Sequence, residues 1–316
     1  MPKVAREAKR RPSRSSATIR LRAIFFGSSS FAVPALEALA AGHDIVAVVT
    51  QPERPAGRGL ELRPTPAMEA ARALRLTTFA PDRLDQRFQN SVEALRPQLL
   101  ACASYGKILP ASLLGVGSLG ALNVHPSLLP EYRGATPIQA ALREGRTRTG
   151  VTVFWMTREM DAGDIALARE VEIEPADDYG RLHDRLAAVG ADLLVEAADA
   201  LANGELPRTA QDHARATYTK PIHKEDLRIS ESATAKQIVD LVRSASPSPA
   251  AWTVIEGKRV KVLEACAEPS EPADTTKAWP VIAAADGRVR LVRVVPEGKR
   301  EMSGAEFAAS LARRKE

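Results

Sequence analysis

Asn123 and His125 stand two residues apart at the end of an apolar run, in ALNVHPSLLPEYRGATPIQAAL, residues 121–142. Alternate residues of a strand project from one face, so the amide and the imidazole point together. Side by side they can donate hydrogen bonds to one oxygen, which is what a developing oxyanion requires. A third group follows in TREMDAGDI. Asp161 lies in a turn between Met160 and Gly163, at the exit of the apolar segment TGVTVFWM. A carboxylate there can orient the imidazole and take a proton, and Asp164 can equally cap the turn. A plainer reading stays open, with His125 a satisfied histidine beside a turn-forming Asn123. No Ser or Cys stands in a nucleophile elbow, and the histidines at 43, 125, 183, 213 and 223 lack metal-ligand spacing. The trio suits acyl or formyl transfer directly between two substrates, without a covalent enzyme intermediate and without a metal.

These residues need a sheet to hold them. LRAIFFG reads as a short strand ending at Gly27, SSSFAVPALEALAAG as a helix with Gly42 past its end, and HDIVAVVT as a second strand. QPERPAGRGLELRPTP is too rich in Pro and Gly to be anything but a loop. AMEAARAL is helical, and DRLDQRFQNSVEAL leads into the strand segments PQLLACAS, LGALNVH and TGVTVFWM. Strands alternating with helices predict an α/β fold: a Rossmann-like, mostly parallel sheet with helices on both faces. Open sheets of this kind place ligands beyond the carboxyl ends of their strands, where Asn123 and His125 fall. Pro126 and Pro130 stiffen the exit.

The first strand–helix junction, GSSSFAVP, lacks the glycines of a dinucleotide or triphosphate loop, although a helix N-terminus can still receive an anion. YGRLHDRLAAVGADLLVEAADALANG is a long amphipathic helix that closes the domain. Beyond residue 205 the texture changes. ELPRTAQDHARATYTKPIHKEDLRIS reads as a linker. SATAKQIVDLVRSAS is a short helix. AAWTVIEG, KRVKVLEACAE, AWPVIAAADG and RVRLVRVVPEG are short alternating segments that predict a small antiparallel barrel or sandwich. The expected organisation is a tail over 1–20, a catalytic domain over 21–205, a linker over 206–222 and a C-terminal domain over 223–316.

Charge is unevenly placed. Residues 1–22 hold eight Lys/Arg against one Glu, residues 23–214 hold 18 basic against 24 acidic, and residues 215–316 hold 18 against 14. The high pI of 9.3 therefore comes mostly from the tail, not from a basic body. That tail is Arg/Ser-rich and without periodicity, so it is expected to be disordered. A transit peptide has a similar composition. The expected location is a bacterial-type cytoplasm, with the mitochondrial matrix as the alternative. Cys102 and Cys266 are far apart in sequence, which argues against a disulfide framework and fits a reducing compartment. No apolar run approaches the ~18 residues that span a membrane.

NVHPSLLPEYRGATPIQ, with GVTVFWMTREMDAGDI downstream, resembles the folate-dependent formyltransferases. The resemblance implies that Asn123, His125 and Asp161 are catalytic and that Ser127, Leu128, Leu129 and Pro130 line a folate pocket. It implies 10-formyltetrahydrofolate as co-substrate, and no metal. TQPERPAGRG resembles the loop that, in tRNA-acting members, inserts at the tRNA acceptor end, which implies Arg54 and Arg58 as tRNA contacts. The family pattern often continues there with lysines, where this chain has Leu60 and Glu61. YTKPIHKEDLRI and RVKVLEA resemble the OB-like tRNA-binding domain of those members. The likeness runs from about Leu21 to the end of the chain.

The implied substrates are folate and initiator methionyl-tRNA, with no membrane and no protein partner. In the implied reaction, the α-amine of the esterified methionine attacks the formyl carbon. Asn123 and His125, protonated with help from Asp161, stabilise the oxyanion, and Asp161 or a water it holds takes the amine proton. A small-molecule formyltransferase acting on glycinamide ribonucleotide or a sugar nucleotide shares the trio and is the alternative. A formate-releasing hydrolase and a non-enzymatic RNA-binding protein are the readings from other classes.

Overall fold

The computed structural model describes residues 19–56, 61–268 and 279–313. Arg58, Leu60 and the expected tail up to residue 18 lie outside the described residues. In chain order the N-terminal part contains β1 (Arg22–Gly27), α1 (Ala32–Gly42), β2 (Asp44–Val49), the hairpin strands β3 (Arg54–Ala56) and β4 (Glu61–Arg63), α2 (Pro66–Ala73), β5 (Thr78–Phe79), α3 (Gln86–Ala94) and β6 (Leu99–Ala103). It continues with α4 (Ala111–Leu114), β7 (Gly120–His125), β8 (Arg133–Gly134), α5 (Pro137–Arg143), β9 (Arg148–Trp155), β10 (Ile165–Glu172) and α6 (Tyr179–Ala202).

Seven strands form one sheet in the order β10-β9-β7-β6-β1-β2-β5. Strand β1 shows why helices cover both faces. Phe25 joins a core with Leu36, Leu39, Leu182 and Leu186 of α1 and α6, while Ile24 and Phe26 join another with Phe88 and Val92 of α3. A strand buried on both faces reads as a continuous apolar run, as RAIFFG does. Side-chain caps start the helices where the sequence supplies them: Thr65 accepts from Met68 N, Asp85 from Phe88 N and Asp178 from Arg181 N.

The sheet is parallel from β7 through β5, but β9 runs antiparallel to β7 and β10 antiparallel to β9. Strand β10 is absent from the sequence reading. Its outer positions are charged and exposed, including Arg169, Glu170 and Glu172, as suits a protected sheet edge but not a core strand. The reversal also changes how Asp161 is reached. Leu122 pairs with Trp155 and His125 with Thr152, so β9 leaves the sheet beside the start of β7. Residues 156–164 must fold back along the sheet to return Asp161 to His125.

Residues 206–222 cross the N-terminal part, and β11 (Tyr218–Thr219) pairs in parallel with β8. Then come α7 (Ala235–Ala245), β12 (Ala251–Ile255), β13 (Lys258–Ala267), β14 (Val281–Ala284), β15 (Gly287–Pro296), β16 (Met302–Ser303) and α8 (Gly304–Ala312). These five strands form an antiparallel sheet, with β12-β13-β15-β14 in order and β16 on β15. Ile238 and Val242 of α7 and Phe307 of α8 pack with Val260, Val262 and Leu291 of the strands. The two parts touch through backbone as well: Gly180 N donates to Ser246 O at 3.0 Å, and Arg143 Nη2 to Asp226 O at 3.1 Å. Among the described residues no helix is long and apolar enough to cross a membrane.

Candidate functional site

A cavity of about 530 Å³ opens over β6 and β7, and Asn123, His125 and Asp161 all line it. Its size lies within the range of roughly 300–1,000 Å³ usual for small-molecule sites. The three residues come together although they leave the sheet by different routes. His125 ends β7, and its Nε2 lies 2.9 Å from the Tyr132 carbonyl. A carbonyl can only accept, so Nε2 carries the proton of that bond. Nδ1 is left facing Asp161 Oδ2 at 3.7 Å. Both side chains are largely buried, at 6% and 13% exposure. A proton on Nδ1 would sit between the carboxylate and the cavity.

Asp161 is held by unusual backbone. Its φ is 52°, a left-handed conformation that disfavours most side chains. Its Oδ2 accepts a hydrogen bond from Gly134 N at 2.8 Å. Gly134 has φ 107°, and a Cβ there would run into the Thr219 carbonyl oxygen. Gly163, two residues beyond Asp161, is as tightly placed, since a Cβ would strike the Trp155 carbonyl oxygen. Tyr132 and Ser104, with φ 58° and 46°, also adopt left-handed backbone beside the cavity. Strain of this kind costs about 1–3 kcal/mol per residue and persists where the surroundings impose it.

Asn123 is partly exposed and lines the cavity, yet its Oδ1 is buried without a hydrogen-bond partner. With Oδ1 buried, the amide nitrogen is the end of the side chain left to donate into the cavity that Asn123 lines. An unpaired buried acceptor costs about 1–3 kcal/mol, a penalty with no benefit to folding. Cys102, the neighbour of Asn123 on β6, also lines the wall. Burial pushes its thiol up to about 12, so it presents no thiolate to attack a substrate. Among the described residues no group of three or more His, Cys, Asp or Glu is placed to hold a metal ion.

The remaining expected residues divide. Ser127, Leu128, Leu129 and Pro130 do not line the cavity. Ser127 is fully buried and donates through Oγ to Glu131 O, Leu129 is buried, and Leu128 packs against Gly150. This segment supports the wall from behind, while Pro126, just before it, reaches the cavity. Arg54 is exposed on the β3–β4 hairpin, and its Nη2 donates to Gln51 Oε1 at 2.7 Å. Gln51 Nε2 in turn donates to Tyr105 O at 2.9 Å, which ties the hairpin to the cavity rim.

The loop leaving β6, Ser104–Leu109, also lines the cavity, and the sequence reading overlooks it. The signal was present. Applied to PQLLACAS, the carboxyl-end rule that selects Asn123 and His125 selects SYGKILP as well. Tyr105 in this loop is buried with its hydroxyl unpaired, and burial pushes it up to about 12.

Two family profiles cover most of the chain. Residues 20–198 match the one described as Formyl transferase, and residues 221–312 match Formyl transferase, C-terminal domain. A methionyl-tRNA formyltransferase of Sulfurihydrogenibium sp. (strain YO3AOP1) is 41% identical over 248 residues, 78% of this chain and 80% of that protein. One of Chloroflexus aurantiacus (strain ATCC 29366 / DSM 635 / J-10-fl) is 40% identical over 301 residues, 92% of this chain and 97% of that protein. Among solved structures, HypX from Aquifex aeolicus in complex with tetrahydrofolic acid superposes with a TM-score of 0.65 at 17% identity, over 92% of this chain and 47% of HypX. That likeness is one of fold, and this chain spans about half the length of HypX.

Proposed function

Because the chain belongs to the formyl transferase family, through both the transferase domain and its C-terminal domain, we propose that it transfers the formyl group of 10-formyltetrahydrofolate to the α-amine of methionine on initiator methionyl-tRNA. Relatives at about 40% identity over more than nine tenths of the chain are named methionyl-tRNA formyltransferases. The setting fitting this reading is a bacterial-type cytoplasm.

We assign the chemistry to Asn123, His125 and Asp161. The observation that carries the assignment is the buried His125–Asp161 pair beside an amide whose donor arm is turned into the cavity at the expense of an orphaned oxygen. As the amine adds to the formyl carbon, the carbonyl oxygen gains negative charge. Asn123 Nδ2 is a donor fixed before the reaction begins, and His125 Nδ1, when protonated beside Asp161, is a second, so little reorganisation is needed. The Asp161 carboxylate balances the imidazolium, and one of its oxygens, or a water held there, accepts the amine proton. Collapse expels the folate nitrogen, which leaves protonated. The co-substrate supplies the formyl group at the carboxylic oxidation level, and the chain's residues supply charge stabilisation and proton transfer.

Acceptor choice lies outside the trio. A small-molecule formyltransferase could use the same three residues. The C-terminal domain and the Arg54 hairpin favour a tRNA acceptor. We assign tRNA capture to Arg54, to Arg58 of the same sequence segment QPERPAGRG, and to exposed lysines of the C-terminal sheet such as Lys258 and Lys261. The test is formyl transfer from labelled 10-formyltetrahydrofolate to methionyl-initiator tRNA, with the ester then hydrolysed. Release of N-formylmethionine supports the reading. Formate release with unmodified methionine points to a hydrolase instead.

A further inference from the structure

Arg133 is the largest fully buried side chain in the described structure, at 2% exposure. A buried guanidinium ordinarily has a carboxylate partner, because an unpaired charge in a protein interior is expensive. None of its partners here is a carboxylate. Nε and Nη2 donate to Gln211 Oε1 at 3.2 and 2.7 Å, Nη1 donates to the Tyr218 hydroxyl at 3.1 Å, and Nη2 lies 3.1 Å from His213 Nδ1. Among the described residues no carboxylate forms an ion pair with it. A charge placed this way does little for folding, so what it holds matters.

It holds Gln211. With Oε1 engaged by two guanidinium nitrogens, the amide of Gln211 cannot rotate. Its Nε2 is thereby fixed as a donor, and it donates to Asp161 O at 2.9 Å and to Gly163 O at 2.7 Å. These carbonyls bracket the left-handed turn that carries the catalytic carboxylate. Gln211 is itself buried, at 5% exposure. It comes from the segment joining the two domains, not from either domain's sheet.

The same segment reaches the other half of the pair. Tyr132 N donates to Thr217 Oγ1 at 2.7 Å, and the Tyr132 carbonyl accepts from His125 Nε2. Gly134, whose amide holds Asp161 Oδ2, pairs with Thr219 across β8 and β11. Farther back, Thr209 exchanges backbone hydrogen bonds with Ile165, and Trp155 Nε1 donates to Pro207 O, which pins both ends of the turn. His125 and Asp161 thus face each other across a gap whose two sides are both anchored on residues 207–219.

We propose that Gln211, immobilised by Arg133, is a positioning residue that holds Asp161 at the separation from His125 needed for formyl transfer, making the interdomain linker part of the catalytic apparatus. The proposal rests on the assignment of Asp161 to catalysis. Gln211 touches no reacting atom and acts through the turn. A displacement of Asp161 by an ångström weakens both its hold on the imidazolium and its reach to the amine, which is how a remote change lowers kcat while leaving folate affinity alone.

Gln211→Glu separates this from simple anchoring. The carboxylate keeps both acceptor contacts to Arg133 and gives it the counterion it lacks. It also replaces the donor to Asp161 O and Gly163 O with an oxygen that repels them. The expected result in the full-length protein is an unchanged or raised Tm, a folate KM within about twofold of the original, and a kcat lowered by about tenfold to a hundredfold, the usual penalty for disturbing a supporting contact. In an Asp161→Asn background the same substitution should lower kcat by less than about twofold, because coupled residues are not additive.

Arg133→Met is the companion variant, removing the buried charge while filling a similar volume. It should preserve folding and lower kcat with folate KM unchanged. A Gln211→Glu protein with kcat within about twofold of the original, or an equal fold loss in both backgrounds, overturns the proposal. If Asp161→Asn alone leaves turnover intact, the catalytic assignment fails and the proposal with it. If Asp161→Asn is strongly impaired and Gln211→Glu is not, only the positioning role fails.

Discussion

Replacing Asp161 with Asn isolates the charge of the carboxylate to which we assign catalysis. The position has φ 52°, and Asn is among the few residues that adopt left-handed backbone readily. Its amide oxygen can still accept the Gly134 N–H, so the turn should survive. What is lost is the anion 3.7 Å from His125 Nδ1. At an effective dielectric of about 20, a unit pair at that distance is worth roughly 4 kcal/mol. Solvent entering the open cavity screens part of it, leaving about 2–4 kcal/mol, or roughly 30- to 900-fold in rate at 1.36 kcal/mol per tenfold. The loss should fall on kcat, because the imidazolium matters most when the oxyanion forms, and folate KM should hardly move. Single-turnover transfer of labelled formyl to methionyl-tRNA measures the chemical step, and circular dichroism and Tm check the fold. A well-folded Asp161→Asn protein within about threefold of the original single-turnover rate would refute the reasoning.

Asn123→Ala should lower kcat by at least about a hundredfold through loss of an oxyanion donor. Because it also removes an orphaned buried oxygen, thermal unfolding should show its stability nearly unchanged or raised by about 1 kcal/mol. Gly163→Ala, whose methyl group meets the Trp155 carbonyl, should destabilise by about 1–3 kcal/mol and reduce turnover, read from denaturant unfolding and kcat. Burial holds His43 below the ordinary histidine value of 6.5, against the attraction of Asp199 and helped by Arg20. The unfolded chain therefore binds this proton first on acidification, so stability is complete above 6.5 and declines as pH falls from there toward the lower folded value. His43→Asn, which keeps an acceptor for the Leu21 amide, should flatten that decline in a series of melts. Charge removal at Lys258 and Lys261 should raise the KM for tRNA and reduce its salt slope by about one per lost phosphate contact, with folate KM unaffected.

The pairing of Asn123 with His125 was readable because strand periodicity and strand-end placement are local signals, whereas Asp161 joins them only because residues 156–164 fold back along the sheet from the far end of β9. The supporting frame was not readable. Arg133 sits in the quoted YRG segment and Gln211 in a stretch that reads as a plain linker, and only long-range packing joins residues nearly eighty apart in sequence. The antiparallel direction of β9 escaped for a similar reason. TGVTVFWM is equally apolar in either orientation, and the edge strand that fixes its direction carries too many charges to resemble a core strand. The loop leaving β6 lines the cavity without a motif to announce it, whereas Ser127, Leu128, Leu129 and Pro130 match the family pattern and stand behind the wall.

The most direct test of the account is a comparison of kcat/KM for three acceptors with one 10-formyltetrahydrofolate preparation: methionyl-initiator tRNA, glycinamide ribonucleotide and a nucleotide-linked amino sugar. The account predicts efficient transfer to the methionyl-tRNA alone, lowered roughly 30- to 900-fold by Asp161→Asn for the charge it removes. Transfer to either small molecule at a rate equal to or above that for methionyl-tRNA would contradict it.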